Sequence, residues 1–405
     1  MSLRILWVLP YLPWPTSSGG KTRQFHLLRS LAAAGHRITL LVQSKTPLDE
    51  ATRQALQPLL EQLIVMPRRA LRSPTTLLAV AASPLPMLAS INGHAQALSQ
   101  RFAELLEEQW DVVQIEHSYS FQPYEQALQL AAQPFVLTEH NVESALGGAT
   151  YDRFPAWLKP LVRLDQWRYR RWERRVMSQA ARVVAVTEAD ARVLSEIVGR
   201  PVPVVVNGVD AARYAQVSPA YASNRLLFIG NYEYPPNVDA VEWAMDEVMP
   251  SVWQARPDAR ITIAGYALPE SWRQRWPDAR IDWHGFVPDL TALQEQAAVF
   301  FAPLRQGGGS KLKVLEAMAA GLPVVTTAQG VSGLAVVAGI EYDGGEDAAA
   351  LAAAVLRQLA DPGAAERMGA AGRAYVARAH DWSVAASQLL AVYQAVNGSG
   401  RAVCE

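Results

Sequence analysis

Short apolar runs alternate along this chain with longer stretches of helical period. Arg4–Leu9, Phe135–Thr138, Arg182–Val186, Leu226–Ile229, Arg260–Ala264 and Val299–Pro303 are strand-length runs dominated by apolar residues. His36–Val42, Asp111–Ile115 and Pro203–Val206 read the same way. Continuous rather than alternating apolar character is expected of parallel strands covered on both faces. Between the runs, the spacing predicts helices from about Lys21 to Ala34, from a Thr187 N-cap to about Val198, and from about Val238. Three more are predicted over Ala348–Leu359, Ala364–Ala377 and His380–Val396. Strand and helix alternate through both halves, which predicts an α/β protein of two doubly wound domains facing a cleft. Residues 45–105 read as helical but punctuated by Pro67, Pro74, Pro84 and Pro86, and the tail from Asn397 reads as disordered. No repeat or heptad pattern is present.

One stretch, Arg305–Thr327, organises the rest. Its sequence is RQGGGSKLKVLEAMAAGLPVVTT. Gly307, Gly308 and Gly309 leave the apolar run and open a helix at about Ser310, which closes at Gly321 before Pro323 starts the next run. Glycine lets backbone approach a ligand closely, and a helix start offers unpaired N–H groups that suit a phosphate. Lys313 and Glu316 are three apart and share a helix face. A cation for a diphosphate and a carboxylate for sugar hydroxyls is the pairing a nucleotide-sugar site needs. The plainer alternative is an exposed ion pair, worth at most about 1 kcal/mol.

Other polar groups gather after apolar runs. Ser17, Ser18, Gly19 and Gly20 precede the first helix, Glu116 and His117 follow one strand, and Glu139, His140, Asn141, Val142, Glu143 and Ser144 follow another. Ligands in open α/β sheets bind at such carboxyl ends. Gly230 and Asn231 follow the strand at Leu226, and the segment Asp282–Val287, DWHGFV, ends its strand around Gly285 and Phe286. Asp289 is placed to cap a short helix, and Asn207–Asp210, NGVD, is a turn signal.

The run from Gly307 to Thr327 resembles the donor-binding motif of retaining glycosyltransferases of family 4, which have the GT-B fold. HNVES at His140–Ser144, NGVD, and AQGVSGL after Thr327 resemble that family at corresponding places. The family's usual motif has two glutamates eight positions apart. Glu316 matches the second, implied to bind the ribose, and the first falls on Gly308. Lys313 is then implied as a diphosphate ligand, and the arginine and lysine that family members place after the first strand of the second domain are absent from GNYEYPPNVDA. Diphosphate charge would fall on Lys313, with Lys311 or Arg305 and helix-start amides. The resemblance further implies that His140 lies beside the transferred sugar, with Glu116, Glu139 and Asn141 on the acceptor side. Gly19, Gly20, Gly230, Asn231, Gly285, Phe286, Gly308, Gly309, Ser310 and Leu315 are implied around the donor. It implies an acceptor-side domain over 1–206, a nucleotide-sugar domain over 207–379, and a last helix, 380–396, crossing back to the first.

The expected reaction is transfer of a hexosyl unit from a nucleoside diphosphate sugar to a saccharide or lipid-linked hydroxyl, with retention, in cell-surface polysaccharide or glycolipid synthesis. No cofactor beyond that co-substrate is expected. Metal-dependent transferases often present an Asp-x-Asp pair, and none occurs. The GxGxxG dinucleotide pattern is also absent, which disfavours a nicotinamide enzyme. Two rivals are a nucleotide-sugar epimerase of the same fold and a non-catalytic carbohydrate-binding or scaffold protein.

Composition sharpens this in few places. At 405 residues, half of them hydrophobic and with a formal net charge of −1, the chain is an ordinary globular protein of two-domain size and not a nucleic-acid binder by bulk charge. Its one cysteine, Cys404, permits no disulfide framework or cysteine-rich metal site, which fits a reducing compartment. MSLRILWVLP is too short an apolar run for a signal peptide, and Leu77–Ile91 is broken by Pro84 and Pro86, so a cytoplasmic protein is expected. Residues 157–175 carry Arg163, Arg168, Arg170, Arg171, Arg174 and Arg175 among Trp157, Trp167 and Trp172. Such a helix could lie on the anionic inner membrane surface, or it could be a solvated helix whose aromatics pack on the domain.

Overall fold

The computed structural model describes residues 2–68, 85–87, 89–90, 95–142, 144, 159–307 and 311–401. The chain forms two compact units, one of Met1–Val206 with Ala385–Glu405 and one of Asn207–Val384.

The first unit is built on a six-stranded sheet of β1 (Arg4–Leu9), β2 (Arg37–Ser44), β3 (Gln62–Pro67), β4 (Val112–Glu116), β5 (Phe135–Glu139) and β6 (Arg182–Ala185). All pairings are parallel, in the order β3-β2-β1-β4-β5-β6. Ile5 to Leu9 are wholly buried, as continuous apolar runs require when helices cover both faces. Helix α1 (Gly19–Ala33) follows β1. Ser18 caps it by accepting from the Lys21 N–H. Gly35, at φ 84°, ends it, with Gly35 N–H donating to Ala32 and His36 N–H to Leu31. That pair of bonds is the Schellman arrangement, which needs a left-handed residue where the glycine stands.

The second unit repeats the plan. β7 (Arg225–Ile229), β8 (Arg260–Ala264), β9 (Ile281–His284), β10 (Val299–Ala302), β11 (Val324–Thr326) and β12 (Tyr342–Gly344) pair in parallel, in the order β12-β11-β10-β7-β8-β9. In each sheet the strand order reverses between the first and fourth strands, where ligands of such sheets bind. Helix α2 (Leu312–Ala319) leaves β10 at that point. It presents Val314, Leu315, Ala317 and Met318 to the core.

Three expectations are corrected. Residues 45–105 are not simply helical, because Gln62–Pro67 pairs along β2 from Thr39 to Ser44 as an edge strand. Its single apolar run has no alternation to separate strand from helix, and only the partner strand decides. Pro67 is tolerated at its end, where an edge strand needs no further N–H. Pro203–Val206 makes one isolated bridge, Ala185 to Val204, rather than a ladder. The strand of the DWHGFV segment stops at His284 with Gly285 after it, as expected. The tail from Asn397 is helical as far as Arg401, continuing a helix that begins at Trp382. Residues 382–384 of that helix belong to the second unit and the rest to the first. Leu77–Ile91 lies largely outside the described residues. Among the described residues no helix is long and apolar enough to cross a membrane.

The far end of α2 is clamped from outside. Arg373, on α3 (Pro362–Ala379), donates to the carbonyls of Ala319 at 3.1 Å, Ala320 at 2.6 Å and Val217 at 2.7 Å. A guanidinium there satisfies terminal carbonyls and meets the negative end of the helix dipole. Arg373→Ala is expected to cost about 2–3 kcal/mol in the second unit, read by urea unfolding. Arg373→Lys is expected to recover less than half of that, because one ammonium cannot reach three carbonyls in the same fork geometry.

Candidate functional site

In the second unit the site is the amino end of α2. Lys311 is at the N-cap position and is nearly buried, and its Nζ donates to the Gly307 carbonyl at 3.0 Å. Gln329 Nε2 donates to the same carbonyl at 2.5 Å. Lys313 points toward the end of β7. Its Nζ donates to Asn237 Oδ1 and sits 4.8 Å from the Phe228 ring centroid. Asn237 is buried, and its Nδ2 donates to the Asn231 carbonyl at 2.7 Å, so one side chain ties the lysine to the β7 turn. Among the described residues neither ammonium has a carboxylate at ion-pair distance. Desolvation, then repulsion from Lys311, pushes the Lys313 ammonium down to about 7, and burial lowers Lys311 as well.

Glu316 lies one turn further along. Both it and Lys313 keep some solvent access. Desolvation nevertheless lifts the Glu316 carboxyl to about 7, against a hydrogen bond from the Tyr214 hydroxyl and the charges of Arg213 and Lys313. Tyr214 ends a short helix, Ala211–Tyr214, whose N-cap Asp210 accepts from the Arg213 N–H. The NGVD turn therefore aims a tyrosine at Glu316.

In the first unit the site is the carboxyl edge of β4 and β5 beside α1. Glu116, 1% exposed, accepts from Gln24 Nε2 at 2.6 Å and Gln114 Nε2 at 2.9 Å, and His140 Nε2 lies 2.8 Å from its Oε2. Arg23 is equally buried, donates to the Val206 carbonyl at 2.8 Å and faces Glu116 electrostatically. Burial drives His140 down to about 3, assisted by Arg23, so its imidazole is neutral. The His117 ring packs 4.2 Å from that of His140, and Tyr11 Oη lies 3.2 Å from His117 Nε2. A Cβ at Gly20 would meet Tyr11 Oη at 2.9 Å, so the glycine is required where α1 passes this cluster.

The other expected site residues divide. Gly308, Gly309 and Ser310 lie outside the described residues, and α2 starts at Leu312 rather than Ser310. The Leu315 side chain is core, not site. Arg305 is spoken for, since its guanidinium pairs with Asp239 at 2.5 and 3.1 Å and stacks on Trp243. Glu139 is wholly buried and accepts from the Ser118 N–H at 2.8 Å, which anchors the turn after β4. Gly230 packs on Asn237, Asn231 Oδ1 accepts from the Glu233 N–H at 2.9 Å, and Phe286 beside Gly285 is 70% exposed. Asn141 is half-buried next to His140, and Gly19 is the first residue of α1. Asp289 Oδ1 accepts from Thr291 N–H at 3.1 Å, ahead of the helix at Thr291–Gln296. Asn237, Tyr214, Gln24, Gln114 and Arg23 were not singled out from sequence. Glutamine and asparagine inside helical or strand patterns carry no signal, and NGVD reads only as a turn, although an aspartate at 210 is a residue type that can cap the helix it turns out to precede.

The basic helix is α4 (Lys159–Gln179), and Trp157 lies outside the described residues. Trp172 is buried and donates from Nε1 to the Ser118 carbonyl at 2.9 Å, whereas Trp167 is 48% exposed with Arg171 over its ring. Leu161 and Leu164 are also exposed.

Two family profiles match this chain, "Glycosyl transferase 4-like domain" over residues 18–210 and "Glycosyl transferases group 1" over residues 223–361. Among curated proteins it is similar to glycogen synthase of Mycobacterium tuberculosis, at 28% identity over 98% of this chain and 96% of that one. It is also similar to phosphatidyl-myo-inositol mannosyltransferase of Mycobacterium leprae, at 30% identity over 68% of this chain and 71% of that one. Among solved structures it shares its fold with Anabaena Alr3699/HepE, described in complex with UDP and glucose, at a TM-score of 0.68 and 15% identity over 97% of this chain and 100% of that one. With two parallel sheets of this order and these matches across both halves, the chain belongs to the group 1, 4-like family of glycosyl transferases and is a glycosyltransferase of the GT-B fold.

Proposed function

We propose that this glycosyltransferase moves a hexosyl unit from a nucleoside diphosphate sugar to a hydroxyl acceptor, with retention at the anomeric carbon and without a metal ion. The observation that carries this reading is the pair Lys311 and Lys313. Two desolvated ammoniums repel one another at a helix start and, among the described residues, have no acidic partner at ion-pair distance. An arrangement of that kind is poorly stabilised until an anion arrives, and a diphosphate supplies the missing charge. Arg305, already neutralised by Asp239, is not needed for it.

Each residue then has a role. Lys313 neutralises charge developing on the departing diphosphate, with Lys311 and the helix-start N–H groups beside it. Glu316, oriented by Tyr214, takes the nucleoside ribose. His140 contacts the transferred sugar. A neutral imidazole suits this, because it contacts hydroxyls without repelling a cationic sugar ring. Preorganised ammoniums and dipoles stabilise the leaving group with no reorganisation during the reaction. Retention follows same-face attack, with the leaving phosphate oxygen taking the acceptor's proton while the sugar–oxygen bond breaks. The acceptor class we infer is a growing saccharide or a lipid-linked one. For the latter, the exposed Leu161, Leu164 and Trp167 amid arginines form a surface suited to anionic lipid.

Lys313→Ala and Glu316→Ala are each expected to lower transfer about tenfold to a hundredfold while the circular dichroism spectrum is kept, assayed by release of nucleoside diphosphate. Wild-type rates in either variant would remove the assignment. Nucleoside diphosphate affinity is expected to depend on pH through Lys313. The free ammonium titrates near 7 and the bound anion holds its proton, so binding weakens as pH rises above about 7. The decline is at most about tenfold per pH unit, and Lys313→Ala should flatten it in calorimetric titrations of UDP, GDP and ADP. Liposome co-sedimentation should recover the protein with anionic vesicles and not with neutral ones, and equal recovery would remove the membrane contact.

A further inference from the structure

His140 is held by a carboxylate, and that carboxylate is itself held from three sides. We propose that Glu116 is a positioning residue that keeps the His140 proton on Nε2, leaving Nδ1 as a hydrogen-bond acceptor for the ligand, and that Gln24, Gln114 and Tyr393 keep Glu116 in place. It rests on the reading that His140 meets the transferred sugar.

The geometry favours one assignment: His140 Nε2 faces both the Glu116 carboxylate at 2.8 Å and the Gln24 amide nitrogen at 3.2 Å, and the carboxylate, an obligate acceptor, is the nearer neighbour. Glu116 Oε2 lies 2.6 Å from Gln24 Nε2 and 2.8 Å from His140 Nε2, and Oε1 lies 2.9 Å from Gln114 Nε2. Two amide N–H groups and the His140 ring nitrogen converge on the two carboxylate oxygens. If the imidazole proton moved to Nδ1, the Nε2 lone pair would face a carboxylate oxygen at that same 2.8 Å, which is repulsive. Protonating Glu116 would relieve the repulsion. Against that stands Arg23, which is buried, permanently charged and electrostatically coupled to Glu116. A neutral Glu116 would remove the negative charge that faces this buried guanidinium.

The orientation of Glu116 is over-determined from behind. Gln114 spends its two amide hydrogens on Glu116 Oε1 and on Thr138 Oγ1 at 2.8 Å, and its Oε1 accepts from the Tyr393 hydroxyl at 3.2 Å. The two hydroxyls could exchange donor and acceptor roles if the amide flipped, but Glu116 only accepts, so a flip would set the amide oxygen against the carboxylate. Tyr393 is wholly buried on the last helix, whose Gln388 Oε1 also accepts from the Val206 N–H at 2.9 Å. Residues 279 positions apart in the chain thus act on one imidazole. On the open side, Nδ1 has no partner among the described residues, and a Cβ placed on Gly20 would lie 3.7 Å from it. Glycine there keeps that approach clear. Water or a ligand hydroxyl can donate to this acceptor nitrogen, whereas a fluorine in the hydroxyl's place cannot.

The test reads the tautomer directly. Long-range nitrogen–proton NMR on the full chain with isotope-labelled histidine distinguishes Nε2–H from Nδ1–H, and His140→Asn assigns the signal. Wild type is expected as neutral Nε2–H, a result that needs no variant. Glu116→Gln, whose amide can donate to Nε2, is expected to shift the proton to Nδ1 and lower kcat/KM about tenfold to a hundredfold. Tyr393→Phe should lower it about two- to fivefold and add nothing on top of Glu116→Gln. A wild-type Nδ1–H signal, an unmoved tautomer in a folded Glu116→Gln, or additive Tyr393 and Glu116 effects would each overturn the proposal. Full activity in His140→Asn, with the tautomers as stated, would instead sink the reading of His140 as a sugar contact and leave the control by Glu116 standing.

Discussion

A largely desolvated lysine with no carboxylate at ion-pair distance among the described residues is the constraint on which the second unit turns. Lys313 lies over an aromatic ring, hydrogen-bonded to a neutral amide, with a second lysine nearby and the positive end of a helix dipole behind it. None of these neighbours carries a negative charge, and Glu316, one turn on, offsets the ammonium only in part. The fold tolerates this because α2 is secured elsewhere, by its apolar face in the core and by Arg373 at its far end. Stability comes from packing, and the amino end is left free to be electrostatically unfinished.

The first unit solves the opposite problem on the same topology. Its charges are balanced internally, with Arg23 against Glu116, and every amide hydrogen described on Gln114 has a destination. What emerges at the surface is a neutral, oriented imidazole. Both arrangements occupy the point in a parallel sheet where strand order reverses, because crossover helices cannot cover that edge. The two units differ in what they place there, an uncompensated positive charge in one and a fixed array of neutral groups in the other.

Much of this could be read along the chain. β1 and β8 were delimited to the residue, since an apolar run bounded by polar residues needs no partner to be seen. The first helix was expected from Gly35 and the Schellman ending bears that out. Lys313 and Glu316 stood out because a glycine-led helix start is a local feature. β3 did not, for a short apolar run becomes a strand only when another strand lies beside it. Leu315 and Arg305 were drawn in by nearness along the chain, yet a residue's direction from a helix decides whether it meets core, solvent or site, and one points inward while the other pairs with Asp239.

What the sequence by itself determined was most of the order of strands and helices and the family, and it pointed to the glycine-led helix start as the candidate site. Those depend on local propensity and on apolar periodicity, which are properties of neighbours in the chain. What only the tertiary structure decided was charge state and orientation: a lysine brought down to about 7, a carboxyl raised to the same range, and an imidazole gripped by Glu116. Desolvation and hydrogen bonding depend on what surrounds a group in space, and the groups that surround these come from positions as distant as Gln24, Gln114 and Tyr393, or Asn237 and Lys313.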